Sequence, residues 1–140
     1  MPRGACSDEY EGEVAEAIVP EGASPPAHVH AALDDSFYIL DGRMVIRCGD
    51  KEWKAGRGSW VQFPAGVPHT FRVLGGPARI LLVHADDSFL AAVREIGRPA
   101  TGTNVPDTKQ GPTISNVGPP MELPEAERLL SQLAGAVSSD

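Results

Sequence analysis

Short runs of alternating apolar and polar residues, interrupted by glycine, proline or aspartate, fill positions 10–85 of the chain. This pattern predicts a succession of β-strands, because side chains alternate between the two faces of a strand. Asp41-Gly42 is a strong hairpin signal between two of the runs. Many short, closely spaced strands favour an all-β barrel or sandwich. We expect strands over 14–19, 27–31, 36–40, 44–48, 52–54, 59–63, 70–74 and 78–84.

The apolar period changes after position 85. Phe89, Leu90, Val93 and Ile96 recur at helical spacing, which predicts a short amphipathic helix that ends at Gly97. A stretch rich in proline and glycine follows, and Pro124 then opens a second helix. The apolar stripe of that helix consists of Leu129, Leu130, Leu133 and Val137. We therefore divide the chain into a flexible tail (1–9), a β-barrel core (10–85), a short helix packed on the barrel (86–97), a Pro/Gly-rich arm (98–123) and a C-terminal helix (124–137).

Composition narrows the range of partners. The chain has 140 residues, a net charge of −7 and a pI of about 5.0, which fits a single acidic domain. We expect no nucleic-acid partner and no membrane association, because both favour basic patches or long apolar segments. The first residues lack the apolar segment of a signal peptide, so we predict a cytoplasmic protein. Cys6 and Cys48 have no metal-binding spacing and are expected to be reduced thiols.

Three histidines and an aspartate are the residues that indicate chemistry. His28 and His30 lie two apart in a predicted strand, so both imidazoles point to the same face. Asp35 lies at the foot of the next predicted strand, and His69 follows a turn that two prolines and a glycine stiffen. A barrel brings such strands to one interior point. Imidazole and carboxylate donors suit one divalent transition metal (Fe, Ni, Mn, Co or Zn) rather than Ca or Mg.

The spacing of these residues resembles the two motifs of the cupin superfamily. The first segment reads Gly22-x5-His28-x-His30-x4-Asp35-x6-Gly42, and the second reads Gly58-x5-Pro64-x-Gly66-x2-His69. The order of the later helices is similar to that of small quercetinase-like cupins. The resemblance implies a double-stranded β-helix, or jelly-roll, barrel with one or two short C-terminal helices. It also implies a homodimer.

The resemblance further implies that His28, His30, His69 and a carboxylate are the metal ligands. The carboxylate of the family motif is glutamate, whereas this chain has Asp35, which is one methylene shorter. In quercetinase-like enzymes that glutamate also takes a proton from the substrate, so Asp35 is the candidate catalytic residue. Asp34 is a competing ligand, because the motif allows either spacing. His84 has no motif and is interpreted as a surface residue or as a neighbour of the ligands.

We predict that a small organic molecule binds beside the metal, in a pocket with apolar walls. Strand alternation places five residues on the interior face of the barrel, and we expect them to line the pocket: Phe37, Ile39, Met44, Ile46 and Phe71. The leading hypothesis is an oxygenase that acts on a phenolic or flavonoid-like molecule. Two alternatives stay open: a metal-dependent isomerase, cyclase or lyase without redox chemistry, and a module that binds a small molecule without turnover.

Overall fold

Two antiparallel sheets form most of the computed structural model of this chain, in which residues 12–31, 34–97 and 114–133 are described. One sheet has the strand order β1-β8-β3-β6 and the other has the order β5-β4-β7-β2-β9. The predicted all-β class is confirmed. The strands are β1 (Glu13–Val19), β2 (His28–His30), β3 (Asp35–Asp41), β4 (Arg43–Cys48), β5 (Lys51–Gly56), β6 (Trp60–Phe63), β7 (His69–Val73), β8 (Ala78–His84) and β9 (Ile114–Asn116), and the helices are α1 (Ser88–Ile96) and α2 (Leu123–Leu133).

Alternation along the strands places the main apolar core between the two sheets. On β3 the side chains of Phe37 and Ile39 are buried, whereas Tyr38 between them is exposed. On β6 Val61 and Phe63 face the core, and Trp60 faces outward. The remaining buried members of this core are Met44, Ile46, Cys48, Ala55, Val73, Ala78, Ile80 and Leu82. This burial is the main favourable contribution to folding.

A second apolar cluster lies on the outer face of the five-stranded sheet, beneath α2. Val45 of β4 and Leu129 of α2 are buried in it, together with Met121. Leu130 and Leu133 pack against this cluster, as the apolar stripe predicts, and Val137 lies outside the described residues. The apolar face of helix α1 is only partly buried. Phe89 packs against the main core, whereas Val93 is 42% exposed. The described helices include none that is long and apolar enough to cross a membrane.

Strand β9 falls inside the stretch for which the sequence indicates no periodic structure. It pairs with β2, so that His28 lies opposite Asn116 and His30 opposite Ile114. The backbone beyond β9 continues the contact, since the N–H of Val117 donates to the Ala27 carbonyl at 2.7 Å. Residues 114–117 therefore cover the edge of the strand that carries two of the candidate ligands.

Replacing Gly42 with alanine is expected to destabilise the fold by about 3 kcal/mol, because strain and a backbone clash combine there. The hairpin predicted at Asp41-Gly42 is wrong, because β3 and β4 lie in different sheets and do not pair. Gly42 has φ of +94° where the chain passes from one sheet to the other, and an added Cβ would lie 2.7 Å from Ala78 Cα and 2.8 Å from the Pro77 carbonyl oxygen. Gly66→Ala is the matched control. Gly66 also has positive φ, +77°, but a Cβ there would meet nothing within 4 Å, so only about 1 kcal/mol is expected. Urea unfolding measures both variants, and equal losses would contradict the role of the close approach.

Candidate metal centre

The four candidate ligands meet between the two sheets. His28 and His30 come from β2, and His69 comes from the adjacent strand β7, where it lies directly opposite His28. Asp35, at the start of β3, approaches from the other sheet. One donor atom from each of these four residues lies within 4.8 Å of all the others. Residues that are distant in sequence are thus brought to one point, three from one sheet and one from the other.

The loop before β7 determines where His69 lies. The N–H of Gly66 donates to the carbonyl of His30 at 2.8 Å, and the N–H of Gly49 donates to the carbonyl of Pro68 at 2.9 Å. These two bonds tie the loop to β2 on one side and to the turn between β4 and β5 on the other. The His69 ring is 2% exposed and stacks on Phe63, with ring centroids 4.1 Å apart.

Hydrogen bonds to backbone carbonyls orient two of the three imidazoles. Nδ1 of His28 is 2.7 Å from the Pro26 carbonyl oxygen, and Nδ1 of His69 is 3.0 Å from that of Val67. A carbonyl accepts only from a protonated nitrogen, so each bond favours the tautomer whose Nε2 has a free lone pair. This is the arrangement in which histidines ligate metals.

The chemistry of the donor set fits a transition ion. Within the described part of the chain, Nε2 of His30 and Nε2 of His69 are buried and have no hydrogen-bond partner. Buried polar atoms without partners are rare and call for an explanation such as an ion. Donors at about 2 Å from one ion lie at most about 4 Å apart, so an ion would need only a small contraction of this cluster.

Asp35, and not Asp34, lies among the histidines. Oδ2 of Asp35 is 3.5 Å from Nε2 of His30 and 3.7 Å from Nε2 of His69. The carboxylate of Asp34 is directed elsewhere: it accepts hydrogen bonds from Gln62 Nε2 at 2.7 Å and from the Ala65 N–H at 2.9 Å. Asp34 therefore anchors the loop before β7, and Asp35 is the acid that the geometry favours as a ligand.

The protonation states suit a metal site. Burial alone would raise the pKa of Asp35, but the facing imidazoles of His30, His69 and His84 together hold that pKa well below its ordinary value. Burial lowers the pKa of His28, and the neighbouring imidazoles of His69 and His30 lower it further against the opposing effect of the Pro26 carbonyl. At neutral pH the cluster therefore offers an ionised carboxylate and a neutral His28 imidazole, both able to ligate a cation.

His84 and Glu13 extend the site beyond the predicted ligands. Nε2 of His84 is 2.8 Å from Oδ1 of Asp35, and its Nδ1 is 2.6 Å from Oε1 of Glu13. The hydrogen bond to Asp35 raises the pKa of His84, burial opposes this, and Glu13 raises it again. Sequence reasoning did not single out Glu13. The alternation along β1 could have indicated it, because Glu13 is a charged residue on the same face of the strand as the inward-facing Ala15 and Ala17.

The five residues expected to line a pocket lie in the main core. Four of them are at most 2% exposed: Phe37, Ile39, Met44 and Ile46. Phe71 is partly buried, and its ring packs against Phe37 with centroids 6.0 Å apart. Their contact with a bound molecule stays a prediction.

Residues 15–84 match the family described as a cupin domain. A protein of Methanocaldococcus jannaschii, uncharacterized protein MJ1618, is 32% identical over 76 residues, which are 51% of this chain and 61% of that protein. Quercetin 2,3-dioxygenase of Bacillus subtilis is 24% identical over 79 residues, which are 56% of this chain and 23% of that enzyme. The crystal structure of TT1209 from Thermus thermophilus superposes with a TM-score of 0.50 and 30% identity, covering 57% of this chain and 77% of that one. The match thus spans less than two thirds of either curated relative.

Proposed function

We propose that this chain, which belongs to the cupin family, is a metal-dependent enzyme that oxygenates a small organic molecule. The observation that carries the proposal is the cluster of His28, His30, His69 and Asp35, whose donor atoms face one another between the sheets. The similarity to quercetin 2,3-dioxygenase supports the choice of an oxygenase with a phenolic or flavonoid-like substrate.

In this proposal the three imidazoles and the Asp35 carboxylate hold the ion. A divalent transition metal bound there supplies Lewis-acid activation of a substrate hydroxyl and a redox-active centre for dioxygen. The protein contributes orientation and a dry environment. The carbonyls of Pro26 and Val67 keep the His28 and His69 rings in place, and the apolar core directly behind them excludes water. Phe71, the partly exposed member of the predicted lining, is the residue that we assign to contact with the substrate ring.

Oxygen uptake is the direct test. Apoprotein reconstituted separately with Fe(II), Ni(II), Mn(II) and Zn(II) is mixed with flavonols and aromatic diols in an oxygen electrode. We expect oxygen consumption above the rate of the free ion with at least one redox-active metal and none with zinc, because zinc has no accessible redox change. The variant His69→Gln should be inactive with every ion. The absence of oxygen uptake in all the reconstituted forms would contradict the oxygenase proposal.

One observation favours a second candidate, an isomerase, cyclase or lyase that uses the metal only as a Lewis acid. Both oxygens of Asp35 face imidazoles, Oδ1 at 2.8 Å from Nε2 of His84 and Oδ2 at 3.5 Å from Nε2 of His30, so neither is free to take a proton from a substrate. An oxygenase that needs a carboxylate base is less favoured by such a residue. Turnover of the same substrates under nitrogen, or with zinc, would identify this second candidate. Tight binding without turnover would indicate a binding module instead.

The cellular location and the oligomeric state of the protein stay predictions. We propose that the protein is cytoplasmic and that two copies pair through a sheet edge, because exposed edge strands favour such pairing.

A further inference from the structure

A chain of three polar side chains, partly to fully buried, leads away from the proposed metal site. It runs from Asp35 on β3 to His84 on β8 and then to Glu13 on β1, with contacts of 2.8 Å and 2.6 Å. Glu13 is 4% exposed, and its second oxygen accepts the backbone N–H of Leu90 in α1 at 2.9 Å. The chain therefore joins three strands of one sheet and the first turn of a helix, and the proposed mechanism gives no role to His84 or Glu13.

From this geometry we infer that His84, held in place by Glu13, is a positioning residue that fixes the Asp35 carboxylate toward the three histidines. The inference rests on the proposed metal site. The two oxygens of Asp35 have different partners: Oδ1 accepts from His84, and Oδ2 faces His30 and His69. An aspartate that swings about its side-chain bonds would present either oxygen in several directions. The bond to His84 selects the rotamer in which Oδ2 is available to an ion.

Glu13 orients the His84 ring in the same way that His84 orients the Asp35 carboxylate. Its Oε1 contacts Nδ1 of the ring, which leaves Nε2 directed at Asp35. Outer residues that orient metal ligands in this way typically change metal affinity by about 10–100-fold when they are removed. The Phe89 ring packs edge-on against His84 with centroids 5.4 Å apart, so the imidazole is held by packing as well as by hydrogen bonds.

The spacing also makes the site specific for a short carboxylate. Asp35 is in hydrogen-bond contact with His84 on one side and within 3.7 Å of two imidazoles on the other. Another methylene would have to displace one of these rings. We therefore expect Asp35→Glu to weaken ion binding about 10-fold, and the double variant Asp35→Glu/His84→Ala to recover most of that loss, because the longer side chain fills the vacated space.

Ion titration of purified protein with Co(II) and Zn(II) tests the inference. His84→Leu keeps the bulk of the ring but removes the donor, and it should weaken affinity by about 10–100-fold. His84→Gln keeps a donor at the position of Nε2 and should stay within about 3-fold of the wild type. Glu16→Gln is the matched control, since Glu16 lies on the same strand as Glu13 but faces outward, where it accepts from Arg79, and it should bind as the wild type does. In the Co(II) form, the visible spectrum should change for His84→Leu and not for the control.

Equal affinity and equal spectra for the wild type and His84→Leu would overturn the inference while leaving the proposed function intact. Failure of the wild type to bind any ion would count against the proposed function.

The positioning role can then be tested separately by crystal structures of the metal-free proteins. In the wild type Oδ2 of Asp35 should face the histidines, and in His84→Leu the carboxylate should turn away or occupy several rotamers. If His84→Leu does not fold because the buried Oε1 of Glu13 loses its partner, Glu13→Gln/His84→Leu replaces it in both experiments. An unchanged Asp35 rotamer would overturn the inference.

Discussion

Replacing His69 with alanine is expected to lower the affinity for Zn(II), Co(II) and Ni(II) by at least about 100-fold, because the loss of a ligand should exceed the effect typical of residues that only orient ligands. This corresponds to about 3 kcal/mol of binding free energy. His69 lies at the centre of the cluster, opposite His28 on the neighbouring strand and 3.7 Å from the Asp35 carboxylate. Its Nε2 is buried and has no hydrogen-bond partner within the described part of the chain. Calorimetric titration measures the change directly.

A packing effect must be separated from the loss of a ligand. The His69 ring stacks on Phe63, so alanine also leaves a cavity. His69→Gln nearly preserves the volume, and it should lose ion affinity while keeping more of the folding stability. Each variant is compared with its own metal-free form, because an ion that binds only the native state raises the melting temperature by an amount that grows with its affinity. A full ion-induced rise in melting temperature for His69→Gln would show that His69 is not a ligand.

Replacing Phe37 with alanine is expected to cost about 3–5 kcal/mol of unfolding free energy, the usual range for a buried aromatic ring. Phe37 is 2% exposed, and its ring meets Phe63 and Phe71 edge-on at centroid distances of 5.9 Å and 6.0 Å. Because Phe63 in turn stacks on His69, the loss should also weaken ion binding. Urea unfolding measures the free energy, provided that the transition is two-state.

Tyr38→Ala is the control for Phe37→Ala, because the two positions are adjacent on β3 and face opposite sides. Tyr38 is 37% exposed on the outer face of the four-stranded sheet. Its removal should cost about 1 kcal/mol or less. Similar losses at both positions would contradict the assignment of the core to the face that carries Phe37.

Local patterns predicted most of the strands and the four residues that the structure brings together, because strand alternation and motif spacing depend on neighbours in sequence. The alternation on β3 separates Phe37 from Tyr38 without any knowledge of the partner strand. The same reasoning failed at Asp41-Gly42, where it predicts a hairpin, because β3 and β4 lie in different sheets and the hairpin is formed by β4 and β5. The spacing of His28 and His30 places their rings side by side, with centroids 5.1 Å apart.

Contacts between distant segments were beyond the reach of the same patterns. His84 meets Asp35 only because β8 pairs with β3 in the register that sets Phe37 opposite Leu82, and the periodicity of the sequence does not reveal that register. The motif spacing to Gly42 already favours Asp35 over Asp34, but the bond from Ala65 that turns Asp34 away is visible only in the fold. β9 is three residues long, too short to show a period, and it is a strand only through its bonds to β2.

The late position of β9 in the sequence has a consequence for synthesis on the ribosome. β2 is translated early, and β7, which covers one of its edges, follows in the same part of the chain. The other edge waits for residues 114–116, so a nascent chain presents the strand that carries His28 and His30 with one side unpaired. Exposed edges of this kind recruit strands from other chains. We therefore expect chaperones that bind nascent chains to reduce aggregation of this protein most in the interval before residues 114–116 emerge from the ribosome.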